Sequence, residues 1–266
     1  MELLGYFASI FMGLSLGMIG GGGSILTVPI LVYLFGKNPM LATAYSLFIV
    51  GSTALVGGIT YLKKGEVDLK TGIIFAIPSF IGVYLTRAYL VPWLPDPVFQ
   101  LGSLAFSKPL LIMLVFALLM VAASVSMIKD KKESKSSTQM STGLRYFLIG
   151  LEGLVVGGVT GFVGAGGGFL IIPALVVLVG MPMKIAVGTS LFIIAAKSLI
   201  GFLGDVQHQS NIEWSLLLSI TGIAIAGLFI GMLLSKRISD KTLKKGFGYF
   251  VLIMGAFILL DQINKI

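Results

Sequence analysis

Apolar and polar positions alternate along this chain on the scale of whole segments. Eight apolar runs, at about 3–36, 41–62, 70–92, 108–128, 144–180, 185–204, 214–234 and 246–263, are separated by short polar stretches. Six of them have the length of a single helix across a hydrocarbon core roughly 30 Å thick, at a rise of about 1.5 Å per residue. The first and fifth are too long for one crossing. Each carries a block of small residues in its middle: Gly20-Gly21-Gly22-Gly23-Ser24 in one, Gly164-Ala165-Gly166-Gly167-Gly168 in the other. Glycine has the largest backbone entropy cost of helix formation, so neither block sustains a regular helix. The pattern predicts that each long run is two short helices with an unwound turn between them, the second starting near Ser24 or Gly168. Irregular backbone at membrane depth is tolerated where it is buried in protein or lines a polar cavity. Two such breaks in matching positions point to a transport site.

The matching is an internal repeat. With a shift of 144 and no gap, 18 of 45 positions from Gly13 to Gly57 are identical to Gly157 through Gly201. Gly20, Gly22 and Gly23 fall on Gly164, Gly166 and Gly167, Pro29 falls on Pro173, and Ser46-Leu47-Phe48-Ile49 falls on Ser190-Leu191-Phe192-Ile193. After a one-residue insertion, Val67-Asp68-Leu69 meets Ile212-Glu213-Trp214. The expected organisation is therefore a first transmembrane repeat (1–128), a polar cytoplasmic linker (129–143) and a second transmembrane repeat (144–266), in an all-α polytopic membrane protein.

Composition narrows the class. Of 266 residues, 56% are hydrophobic and 11% charged, which excludes an ordinary soluble domain. Cysteine is absent and His208 is the single histidine, which leaves no basis for disulfides, thiol chemistry or a histidine metal site. Glu2 stands in place of a basic leader and the first run is too long for a signal sequence, so no cleaved signal is expected. The net charge of +8 sits in short loops, as at a cytoplasmic membrane face, rather than in a nucleic-acid patch. If all eight runs crossed once, the basic linker (Lys129, Lys131, Lys132, Lys135, Arg145) would lie opposite the basic loop Lys236–Lys245. If runs 1 and 5 instead go in and come back as half-length helices, both fall on one side with Lys63, Lys64, Lys70 and Lys184. Glu2, Asp96, Asp205 and Glu213 then fall on the other, with Lys37, Arg87, Lys108 and Lys265 its only basic residues. This satisfies the positive-inside rule and makes the two repeats inverted, each opening with a re-entrant, glycine-broken helix pair, with both termini outside.

Candidate chemistry follows from that layout. A helix restarting after a glycine turn presents amides without intrahelical partners and a positive dipole end, and glycine lets an anion approach them. Ser46 and Ser190, with Thr43 and Thr189 beside them, lie at the starts of runs 2 and 6 and could complete an oxyanion's hydrogen bonds or bond their own helices. Lys197, deep in run 6, is costly there unless it faces a wet cavity or a partner. Glu152 is a proton-coupling candidate, a partner for Lys197, or a side chain reaching back to the surface. Arg87, before Pro92-Trp93, reads as an interfacial anchor, and Asp205, His208 and Glu213 read as solvated loop residues. No nucleotide-binding glycine-lysine motif is present, and the clustered histidines or paired carboxylates of a membrane-embedded enzyme are lacking.

On these residues the chain resembles the TauE/SafE sulfite-exporter family, also called toluene-sulfonate uptake permeases. The resemblance rests on Gly164-Ala165-Gly166-Gly167-Gly168-Phe169-Leu170-Ile171-Ile172-Pro173, on Ala186-Val187-Gly188-Thr189-Ser190-Leu191 and on the duplicated layout, and covers nearly the whole chain. The first copy departs from it, with Ala44-Tyr45-Ser46 where the second has Gly188-Thr189-Ser190. The resemblance implies bacterial inner-membrane transport of sulfite, sulfonates or related organosulfur anions. The combined reading is a non-enzymatic secondary carrier working by alternating access, needing no cofactor. Its partners are the lipid bilayer and a small anion, with no nucleic acid and with homo-oligomerisation open. A passive channel or a carrier of another small metabolite is the alternative.

Overall fold

In the computed structural model, which describes residues 2–101, 104–129, 142–164, 166–177, 180–206, 212–235 and 240–264, nearly every segment is helical. Most of the 129–143 linker, Ala165, His208, Lys236 and Arg237 lie outside the described residues. The helices are α1 (Glu2–Ile19), α2 (Ser24–Pro29, continued by a π-helical turn Ile30–Leu34), α3 (Pro39–Lys63), α4 (Leu69–Leu85, continued by a π-helical turn Thr86–Leu90), α5 (Val91–Trp93), α6 (Lys108–Ile128), α7 (Thr142–Val163), α8 (Gly168–Val177), α9 (Met183–Val206), α10 (Trp214–Leu234) and α11 (Asp240–Ile263). Among the described residues, seven helical stretches are long and apolar enough to cross a membrane.

Helix starts follow local chemistry. Asn38 Oδ1 accepts from the Met40 amide at 3.0 Å with Pro39 in the first turn, and Asp68 accepts from the Thr71 amide at 3.1 Å and its hydroxyl at 2.8 Å. These side chains occupy amides that a helix start otherwise leaves unpaired.

Two expectations need correction. The first limb of each broken run is full length: α1 has 18 residues and α7 has 22, while only the second limbs, α2 with its π turn and α8, are short. The break falls where the glycines are, and the 18 and 22 residues ahead of it are by themselves enough for a spanning helix. The fold also contains a short antiparallel β-hairpin, β1 (Phe99–Leu101) with β2 (Leu104–Phe106), capping the α5–α6 connection with Phe99 stacked on Phe106. Pro95 and Pro97 end helical structure ahead of it.

Close approach of backbones sets the packing. Gly153, Gly157 and Gly161 of α7 lie directly on Phe75, Ser79 and Val83 of α4, in ascending order on both, so these helices run parallel. Gly13 and Gly17 of α1 lie on Ala224 and Leu228 of α10, again parallel. Small residues four apart make a groove into which the neighbouring backbone fits, which is how helices gain packing contacts in lipid. In contrast, α3 and α9 run antiparallel through the centre. Tyr61 meets Gly188, Gly51 meets Leu199, and Phe48 packs on Phe202 with ring centroids 5.1 Å apart.

These directions sort the loops. At one end, Lys184 reaches Glu66 at 3.8 Å and Lys70 sits 4.8 Å over the Tyr146 ring, bringing together the starts of α4, α7 and α9. At the other end, Lys37 pairs with Glu213 at 2.6 Å, and the Glu213 amide donates to the Tyr45 hydroxyl at 2.8 Å. The outward faces carry exposed Leu, Ile and Phe side chains (Ile73, Ile77, Leu218, Leu233 and Phe257 among them), the surface expected against lipid.

Candidate functional site

The two glycine turns meet. Gly21 and Gly168 lie backbone against backbone, so that a Cβ on either would overlap the other's Cα. Gly20 rests on Val187 and Ser190 of α9, while Gly164 rests on Thr43 of α3, the position equivalent to Val187. Gly166 faces Val50 and Ser24. Positive φ values of 74°, 62° and 72° at Gly164, Gly166 and Gly167, and 82° at Gly20, are conformations that side-chain-bearing residues rarely adopt. Gly23 lies on the backbone of Met12 and Leu16.

The helix restarts fall at Ser24 and Gly168, where the sequence puts them, but they offer fewer open amides than a bare helix start. Ser24, Ile25 and Leu26 donate to the carbonyls of Gly21, Gly22 and Gly23, and Leu170 and Ile171 both donate to Gly167. Such tight i to i+3 bonds are a usual way of satisfying helix ends. The hydroxyls divide in the same way. Ser24 donates to the Gly21 carbonyl at 2.7 Å, Ser190 to Val187 at 2.8 Å and Thr43 to Met40 at 2.8 Å, each within its own segment. Thr189 accepts from the Asp68 amide at 2.9 Å and so ties α9 to the α3–α4 loop. Ser46 is different: fully buried, its hydroxyl has no partner among the described residues.

Lys197 is the residue that gives the site a charge. Its side chain is 1% exposed, and Nζ donates to Thr160 Oγ1 at 2.7 Å. It lies so close to Gly167 that a Cβ there would sit 2.6 Å from Nζ. Among the described residues no carboxylate pairs with it; Glu152, half-buried on α7, forms no salt bridge with it. An ammonium without a counter-ion in this setting costs several kcal/mol, roughly, and favours any anion that can reach it.

Two residues were misread from sequence. Arg87 is not an interfacial anchor: it is 2% exposed, and Nη1 donates to Thr43 Oγ1 at 3.0 Å and Asp205 Oδ1 at 3.4 Å. Asp205 is accordingly buried rather than solvated. Their partnership spans 118 positions, so local context could not reveal it. The available signal was the repeat, which aligns Arg87 with Met232, a core position.

A bundle of apolar, closely packed helices around a buried crossing of broken backbone with Lys197 against it fits a polytopic membrane transporter. The sulfite exporter TauE/SafE family model matches residues 6–258, and the chain belongs to that family. It is 31% identical over 251 residues to a probable membrane transporter protein of Xylella fastidiosa, covering 93% of this chain and 90% of that one. It is 28% identical to the probable membrane transporter protein YunE of Bacillus subtilis, covering 92% and 93%. A probable membrane transporter protein of Haemophilus influenzae is 26% identical, covering 91% and 92%. The relatives are described as transporters rather than enzymes, and the apolar helices fit a multi-pass plasma-membrane protein.

Proposed function

We propose that this protein is a secondary carrier of small oxyanions, sulfite or an organosulfonate foremost. It works by alternating access between two inverted repeats, 1–128 and 144–266, joined by a cytoplasmic linker at 129–143. The observation that carries the anion reading is Lys197, a buried cation lying against Gly167 in the turn that touches the other turn at Gly21. The site would consist of Gly20, Gly21, Gly22, Gly23, Ser24 and Ser46 from the first repeat. Gly164, Ala165, Gly166, Gly167, Gly168, Thr189, Ser190 and Lys197 would come from the second. Glu152 is retained as a proton-coupling candidate. Sulfite is favoured over other anions by the family's name.

The inverted arrangement is supported by the central pair. α3 and α9 are equivalent in sequence yet run antiparallel, and the parallel pairs α1 with α10 and α4 with α7 are exchanged by the same operation. Re-entrance is supported by the ends: Lys63, Lys64, Lys70 and Lys184 gather where α4, α7 and α9 begin, as a cytoplasmic face requires. The chain is naturally cysteine-free, which makes the topology measurable. Single cysteines at Lys64, Ser136 and Ser239 are expected to be shielded from an impermeant thiol reagent in intact cells, and one at Gln100 labelled. Labelling of Ser136 with protection of Ser239, or the reverse, would contradict the arrangement.

The function itself is tested by counterflow of labelled sulfite in proteoliposomes. A carrier gives saturable uptake driven by unlabelled sulfite inside, whereas flux linear in concentration indicates a channel. No sulfite or sulfonate flux of either kind defeats the proposal.

A further inference from the structure

Among the described residues, the buried cations near the crossing of the turns both lie along the second turn. Lys197 stands at the Gly167 end of the second turn, and Arg87 stands at its Gly164 end through Thr43, whose Cα and Cβ lie directly against Gly164. The equivalent positions in the other repeat are Thr53 for Lys197, Met232 for Arg87 and Tyr61 for Asp205. A buried ion pair needed only to join α4 to α9 has no reason to leave its guanidinium half used. Yet Nη1 makes both of the contacts, while Nε and Nη2, equally buried, have no acceptor among the described residues. Those two nitrogens form the edge of the guanidinium that holds two oxygens of one anion in parallel bonds. Leaving three N–H groups unpaired in a buried setting is costly, and a bound oxyanion would remove that cost.

We propose that Arg87 is a second anion-binding residue, its Nε–Nη2 edge receiving two oxygens of a sulfite- or sulfonate-type anion at the Gly164 end of the second turn, while Asp205, held on Nη1 at 3.4 Å, places a negative charge beside that subsite. This rests on the anion-carrier reading above. In the conformation described the subsite is shut, since Arg87 is 2% exposed, and an anion gains it when α4 and α9 separate at that end. The two cations then mark the path of the anion along the second turn, from Arg87 to Lys197.

The test is sulfite binding to purified protein by calorimetry, beside melting temperature, for the wild type, Asp205→Asn, and the double variant Arg87→Met with Asp205→Leu. Asp205→Asn removes the negative charge beside the subsite and is expected to tighten sulfite binding about tenfold. The double variant leaves net charge unchanged, and replacing a buried pair by apolar side chains is commonly neutral or stabilising. It is expected to melt at or above the wild-type temperature and to bind sulfite at least about tenfold more weakly. Wild-type affinity in a well-folded double variant overturns the inference and reduces the pair to a structural tie. Should Asp205→Asn not fold, the double variant decides alone. If the wild type binds neither sulfite nor a sulfonate, the carrier reading falls and takes this inference with it; wild-type binding with indifferent variants removes this inference only.

Discussion

Lys197→Met is expected to reduce anion transport at least about a hundredfold while leaving the protein as stable as the wild type, or more so. The two effects separate because the lysine is unfavourable for the fold. It is buried, its one hydrogen-bonding partner among the described residues is the Thr160 hydroxyl, and that hydroxyl also donates to the Val156 carbonyl at 2.7 Å. Methionine matches the length of the stem and removes the desolvated charge, as apolar replacements of buried charges often do without loss of stability. A residue retained only for packing would show the reverse: near-normal flux with a lower melting temperature. Flux per folded molecule in proteoliposomes, with the melting temperature of the same preparation, separates these outcomes. Normal flux would remove Lys197 from the path.

Much of this was legible in the sequence for a physical reason. Glycine blocks inside apolar runs leave few backbone options, so the helix restarts at Ser24 and Gly168 follow from composition alone. The depth of Lys197 follows from four apolar neighbours on its N-terminal side. What the sequence did not reveal depends on tertiary partners. That the Thr189 hydroxyl accepts from the Asp68 amide, for instance, depends on a loop 121 positions away. Arg87 before Pro92-Trp93 has the local look of an interfacial anchor; its burial exists because Asp205 and Thr43, from two other helices, converge on it. The full length of α1 and α7 was countable in the sequence, since the 18 residues of Glu2–Ile19 and the 22 of Thr142–Val163 already suffice to span; the half-length expectation came from dividing each run evenly. The hairpin at Phe99–Phe106 was missed because three-residue strands carry almost no periodicity.

The second large effect concerns the contact between the turns. Gly21→Ala and Gly168→Ala each add one methyl group where the two backbones touch. Neither position has a positive φ, so alanine is permitted by the backbone itself and the substitution acts through the contact alone. At Gly164, Gly166 or Gly167 strain in the turn would be added to any loss of the site, which makes those positions less discriminating. Either alanine pushes the turns apart and is expected to lower transport at least about tenfold, whereas Gly222→Ala, with open space around it, is expected to be neutral or slightly stabilising.

The claim beneath all of this is that the two turns form one anion site. Sulfite titration of the purified Gly21→Ala, Gly168→Ala and doubly substituted proteins, each beside its melting temperature, addresses it as a double-mutant cycle. One shared site predicts that each single variant loses sulfite affinity severely and that the double variant is no worse than the weaker single one. Turns that serve only as packing spacers predict retained sulfite affinity with lowered melting temperatures in each variant, and that result would contradict the account.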